Sequence, residues 1–308
     1  MKKIFISLLM LLGFTSIANA NDVLKVGTMP AADSILLYVA QEENLFQKQG
    51  LSVEIVPFQS AIEMGAALRS GSIDGIFTCV INATLQHVSG IPQTIIATTS
   101  YARPTQRHFG LVVSPKKEIN NIEDIQGKKV AIGKDTIVDY LLTQFLESRN
   151  LSDDYVERED IRSIAMRLQL LMAGQLDMAL LPEPLVSTLE ARGAKVILDD
   201  TNLRMPLAVI SFSQKKLTKE NYNAFRLALD EASNLVNASP EKYKQMMVEK
   251  KLLSSDALSF YKMISFDKEN TPLYIPNEEE IKSYFSWLKK RNLIKEEPDY
   301  KLIIPQFN

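Results

Sequence analysis

The residues able to do chemistry in this chain sit in short polar stretches rather than in one dense motif. Asp33 and Ser34, Ser60 after Phe58, Thr78 with Cys79 and Asn82, Asp135 with Thr136 and Ile137, and Glu183 between Pro182 and Pro184 are the main ones, with Tyr101 a further aromatic candidate. These are hydrogen-bonding groups, and their spacing suits recognition better than catalysis. No Ser/His/Asp or Cys/His arrangement falls at an interpretable spacing. His87 and His108 are the sole histidines and Cys79 the sole cysteine, without the i, i+4 or C-x-x-C spacing of a metal site, so neither metal nor cofactor is expected.

Two readings stand for several of these side chains. Asp33 with Ser34, Asp135 with Thr136, and Ser60 each fit the start of a helix, where such residues cap, or a contact to a bound solute. The Glu183 carboxylate, its backbone fixed by flanking prolines, could accept from a ligand amino group or make a hinge contact. Phe58, Phe77 and Tyr101 could each offer a flat apolar wall, although Phe77 ends a buried strand and reads more readily as core. A lone Cys79 reads as a small buried hydrophobe. Arg103 and Arg107 could grip an anion or stay solvated.

The elements that must position these groups alternate. Residues 23–27 read as a strand, 35–49 as an amphipathic helix, 51–57 as a strand, 61–69 as a helix and 73–77 as a strand, which means βαβ units and a parallel sheet. A hundred residues on, 129–132, 138–149, 166–173 and 176–181 repeat the order, with 155–161 divergent. The echo is sharpest where Leu68, Gly71, Ile73 and Asp74 match Leu171, Gly174, Leu176 and Asp177, each a helix end, a glycine cap and a buried strand. Two similar Rossmann-like α/β lobes create a cleft, and open α/β sheets bind outside the carboxyl ends of their strands. The loops named above would all face that cleft, with helix starts offering N–H groups to an anionic or polar ligand.

Residues 101–107 and 206–212 read as two crossings of a hinge. They divide the chain into a leader at 1–20, a first lobe of 21–108 with 207–308, and a second lobe of 109–206. Helices expected at 221–236, 240–250, 255–263 and 278–291 cover the first lobe and brace the hinge, a separate helical domain being the alternative. The leader is Lys2 and Lys3, an apolar run of about 11 residues at 4–14, and a small-x-small end at Ala18, Asn19 and Ala20. It is shorter than the roughly 20 residues a membrane helix needs, so a soluble exported chain is expected. One cysteine leaves stability to packing. The net charge of −2 over 308 residues, with no dense basic block, speaks against nucleic acid.

At several positions the chain resembles the family of periplasmic binding proteins for nitrate, sulfonates, taurine and thiamine pyrimidine precursors. These are Val26, Gly27 and Thr28 before a loop; residues 38–46 followed by Gly50 and Leu51; the two Gly-x-x-Asp turns; Asp124 to Ala131 around Gly127; and Leu181, Pro182, Glu183 and Pro184. The resemblance implies a type II periplasmic binding protein fold, a monomer that closes over a small solute and delivers it to a membrane permease driven by a separate ATPase. Cys79 departs from the polar or acidic residue common in such relatives. Enzymes of the same architecture and ligand-loaded sensor partners remain the rival classes.

Overall fold

The structure, a computed structural model, describes residues 23–267 and 271–307; the leader at 1–20 lies outside them. The first unit runs β1 (Leu24–Thr28), α1 (Ile35–Glu42), α2 (Leu45–Lys48), β2 (Val53–Pro57), α3 (Ala61–Ser70), β3 (Gly75–Thr78), α4 (Val80–Val88) and β4 (Gln93–Ala102). The second runs β5 (Phe109–Val113), β6 (Lys129–Ile132), α5 (Ile137–Glu147), β7 (Glu157–Asp160), α6 (Ile164–Ala173), β8 (Met178–Pro182), α7 (Leu185–Ala191) and β9 (Lys195–Asp199). The chain returns through β10 (Met205–Ser213) and ends with α8 (Lys219–Ala238), α9 (Pro240–Glu249) and α10 (Glu278–Lys290).

Each lobe is built on a five-stranded sheet, in the orders β2-β1-β3-β10-β4 and β7-β6-β8-β5-β9. The two orders superimpose element for element, with β10 and β5 in equivalent places. The expectation of parallel sheets holds in direction for four strands of each and fails for one. β10 is antiparallel to both of its neighbours, and so is β5. The reason is topological: each of these strands enters from the opposite lobe and so runs against the βαβ direction.

The repeated helix ends take the geometry their glycines allow. Gly71 and Gly174 close α3 and α6 at φ of 74° and 77°, a region costly to a residue bearing Cβ. Asp74, just beyond the first, accepts from the Lys25 N–H of the neighbouring strand at 2.9 Å and locks the turn to the sheet.

Three elements differ from expectation. The helix over 35–49 breaks at Asn44, left-handed at φ 57°, into α1 and α2. The divergent region contains strand β7, whose Glu157, Arg158, Glu159 and Asp160 carry no apolar alternation because it is a solvent-facing edge. The helix expected at 255–263 is a single 3-10 turn, Ser255–Ala257, after which Tyr261, Met263, Ile264 and Phe266 bury individually against the first lobe.

Helices α8 and α9 pack on α1 and α2 of the first lobe, Phe225 stacking on Phe46 with ring centroids 4.8 Å apart. Helix α10 does more than cover that lobe. It lies on α4, and across the boundary Tyr284 and Trp287 meet Tyr140 of α5 at 4.6 and 5.4 Å. One apolar core consequently runs through α4, α10 and α5 and spans both lobes.

Candidate functional site

A cavity of about 160 Å³ lies between the lobes. That is the scale of a single small organic molecule, since a cavity of roughly 150 Å³ accommodates benzene. The first lobe lines it with the loop after β1 (Met29, Ala31, Asp33), Ser60 before α3, and Thr78, Cys79 and Asn82 at the β3–α4 junction. The second contributes Asp135, Thr136 and Ile137 before α5, Arg162 and Arg167 around the start of α6, and Glu183 after β8. Phe77, Phe109, Val138 and Leu207 supply apolar wall.

The structure brings nine of the twelve sequence candidates to this cavity: Asp33, Ser60, Thr78, Cys79, Asn82, Asp135, Thr136, Ile137 and Glu183. It places three elsewhere. Ser34 is fully buried and its hydroxyl donates to the Ala31 carbonyl at 2.7 Å. Phe58 packs with Met64 and Ile73 in a small core and lies against Gly27, where no side chain would fit. Tyr101 stacks edge-on against Tyr274 and donates its hydroxyl to Glu280 at 2.8 Å.

The capping expectation divides in the same way. Ser60 caps α3, accepting from the Glu63 N–H at 3.2 Å. Ser34 and Thr136 occupy the N-cap positions of α1 and α5 but make no side-chain cap. Thr136 instead donates to the Gly133 carbonyl at 2.6 Å. Asp135 is left-handed, φ 64°, and its N–H is held at 3.0 Å by the buried Asp139 carboxylate one turn into the helix. This clamp fixes the loop that carries Thr136 and Ile137.

The lobes touch across the cleft. The Ala32 N–H donates to the Glu183 carbonyl at 3.1 Å, while the Glu183 N–H extends the β5–β8 ladder by donating to the His108 carbonyl at 2.7 Å. Cys79 receives N–H groups from Asn82 of its own lobe and Ile137 of the other; burial pushes its thiol pKa up despite them, which keeps it protonated. The Asn82 amide donates to the Thr78 hydroxyl at 2.8 Å.

The two readings of Glu183 separate here. Its carboxylate accepts from Arg107 Nε at 2.8 Å, and from the Ser187 N–H and hydroxyl, each at 3.1 Å. Burial raises its pKa while Arg107 opposes the shift. The side chain ties the first crossing to α7, so the hinge contact describes its hydrogen bonding.

Of the two most telling groups, sequence reasoning passed over Arg167 and weighed His108 only as a metal ligand. Arg167 is 3% exposed; its Nη1 donates to the Leu180 carbonyl at 2.6 Å, and its Nε has no acceptor. Among the described residues no carboxylate pairs with it, and burial lowers its pKa to about 10. Asp160 opposes that shift only from beyond ion-pair distance, and a buried guanidinium without a close partner is costly unless something anionic meets it. His108 is 5% exposed, and burial, with the charge of Arg103, pushes its pKa down to about 3. The ring is therefore neutral; it hydrogen-bonds the Tyr101 carbonyl, which assigns the proton to Nδ1 and leaves Nε2 an acceptor without a donor. The signal for Arg167 was faint: an arginine on the helix that the repeat pairs with α3.

These features coincide with a family. Residues 31–242 match the model of the NMT1/THI5-like family, and the chain belongs to it. No curated protein sequence is a significant match. Among solved structures, the chain is similar to the periplasmic aliphatic sulphonate binding protein SsuA of Escherichia coli, at 19% identity, TM-score 0.77 and 94% coverage of both chains. It is also similar to the alkanesulfonate-binding SsuA of Xanthomonas axonopodis pv. citri bound to MOPS, at 18% identity, TM-score 0.73 and coverage of 90% of this chain and 94% of that one. The periplasmic nitrate-binding protein NrtA of Synechocystis PCC 6803 aligns at 14% identity and TM-score 0.71, over 92% of this chain and 84% of its own. At these identities the likeness is one of fold, that of periplasmic binding proteins.

Proposed function

We propose that the chain is the solute-capturing component of an ABC-type importer, holding a small organic anion between its lobes and delivering it to a membrane permease. The observation that carries the reading is Arg167, a guanidinium buried in an inter-lobe cavity with no ion-pair partner among the described residues, Asp160 acting on it only from farther off. The family supports it, as do structural relatives named for sulfonates and nitrate, both anionic solutes. The leader at 1–20 would export a monomer whose lobes, 21–108 with 207–308 and 109–206, open about the two crossings. Without a phosphate-cradling G-x-x-x-x-G-K-[ST] loop in the sequence, the ATPase is a separate polypeptide. On this reading the chain binds its solute without converting it, in keeping with a cleft thiol that burial keeps protonated and that no base pairs with among the described residues.

Thermal-shift screening of the purified mature chain against sulfonates, taurine, nitrate, small carboxylates and pyrimidines tests this, because a ligand confined to the folded state raises the melting temperature. Arg167→Met should weaken anion binding by about 100-fold. The same change should raise the ligand-free melting temperature by about 2–4 °C, since it removes a buried charge. A variant that bound anions as tightly as the native chain would sink the assignment of Arg167.

A further inference from the structure

Besides the crossings and the cavity wall, the lobes meet on two flanks, and the two are built differently. On one flank α10 lies on α4 of the first lobe and meets α5 of the second, and a single apolar core runs through all three. Tyr140 of α5 packs there against Tyr284 and Trp287, and its hydroxyl donates to that of Ser283 at 3.3 Å. Parting this flank would bare aromatic side chains that each bury roughly 150–250 Å². On the other flank α7 of the second lobe, which follows β8 as α4 follows β3, faces the Ser255–Ala257 turn of the first. No apolar cluster among the described residues joins these two. Val186 and Leu189 of α7 belong to a core confined to the second lobe, and Leu252, Leu253 and Ala257 to one confined to the first. The contact is polar instead: Arg192, just past α7, donates from Nε to Asp256 at 3.0 Å, and the Ser254 hydroxyl lies 3.3 Å from that of Thr188. Arg192 and Asp256 are 41% and 53% exposed, so water and salt reach the pair.

Resting on the reading of the chain as a hinged solute trap, we infer that the lobes open on one flank: the core through α4, α10 and α5 holds while α7 parts from the 255–257 turn, and the Arg192–Asp256 pair is the latch that biases the lobes toward contact. The reason is the contrast in cost. An exposed ion pair shifts such an equilibrium by about two- to fivefold, whereas a close-packed aromatic core spanning both lobes resists separation. A latch of that modest strength suits a protein that must reopen. Because solute is held by lobes in contact, a pair that favours contact tightens the apparent affinity without touching the solute.

Electron-spin distances on the solute-free mature chain test this with one label pair on each flank: Lys195→Cys with Phe260→Cys across the latch, and Val88→Cys with Arg149→Cys across the core, all four positions being exposed. With Arg192→Glu added, the ratio of long to short distances across the latch should rise about two- to fivefold, and the reversed pair, Arg192→Glu with Asp256→Arg, should restore it. The distance across the core should stay single and unchanged in every variant. Equal lengthening on both flanks, or a latch ratio indifferent to Arg192→Glu, would overturn the inference. If Arg192→Glu does not fold, about 1 M salt on the chain with the native pair gives the same reading, because it screens an exposed pair. A solute screen without a hit would remove the transport reading, while these distances, taken without solute, still decide the latch.

Discussion

At the scale of single residues, function in this protein lies in groups left incomplete. Asp200 shows the same habit outside the cleft. It accepts from the N–H groups of His108 and Phe109, each at 2.9 Å, yet burial raises its pKa to about 7 and Oδ2 has no partner. Asp200 binds a proton more tightly folded than unfolded, so its contribution is complete below about pH 4 and is lost as pH rises toward 7. His108 has the opposite sign: with its pKa depressed to about 3, its contribution is present above about pH 6.5 and lost as pH falls. Between about pH 4 and 6.5 the folded pair is neutral where the unfolded pair is charged, with the same number of bound protons, and the two slopes cancel. Asp200→Asn should therefore leave a melting temperature that falls with acid over this window, and His108→Gln one that falls with rising pH. Calorimetric melting at half-unit steps reads this, and unchanged profiles in both variants would refute the assignment. Nine of the cleft residues were legible from loop position alone. Arg167 was not, because its significance is the lack of a close ion-pair partner, which only three-dimensional neighbours define.

At the scale of elements, the start of α5 is held from behind. Asp139, fully buried, clamps the Asp135 N–H and pairs with Arg158 Nε at 2.9 Å. Arg291, just past α10, reaches Asp139 and Asp153 at 3.5 and 3.0 Å and lies 5.3 Å from the centre of the Trp287 ring. Asp139→Ala should cost about 3 kcal/mol, at the low end for a broken buried pair because Asp153 still serves both arginines. It should also weaken solute binding by loosening the loop at 135–137. Asp153→Ala removes a carboxylate that is 39% exposed and should cost about 1 kcal/mol or less, with binding unaffected. Urea unfolding with parallel titration separates the two, and equal losses of affinity would argue against the clamp. Helix periodicity exposed α5 and α10 as amphipathic, but strand β7 escaped because an edge of Glu157, Arg158, Glu159 and Asp160 has no apolar rhythm.

At the scale of the whole molecule, two repeated units are joined by crossings and strapped by α10. The Ala32 to Glu183 hydrogen bond and the approach of Ile137 to Cys79 describe lobes in contact. A solute that touches both lobes favours that arrangement over an open one. Ile62 and Met166, 56% and 47% exposed on α3 and α6 beside the cleft residues, are suited to cysteine labelling, since buried Cys79 with its raised pKa should stay unreactive. Electron-spin distances between labels at those positions should shorten and narrow on saturation with solute. A distribution indifferent to bound solute would rule out hinged closure.

The amino-acid sequence by itself determined the alternating α/β order, the internal repeat and the cleft loops. Each follows from local rules, namely the period of apolar residues, glycine at positive φ and polar residues at helix starts. Tertiary structure alone decided three things: the reversed direction of β5 and β10, the span of α10 across both lobes, and which buried charges go unanswered. The first two depend on contacts between residues a hundred or more positions apart, as when Tyr284 meets Tyr140, and no local pattern encodes whether a buried charge finds an ion-pair partner.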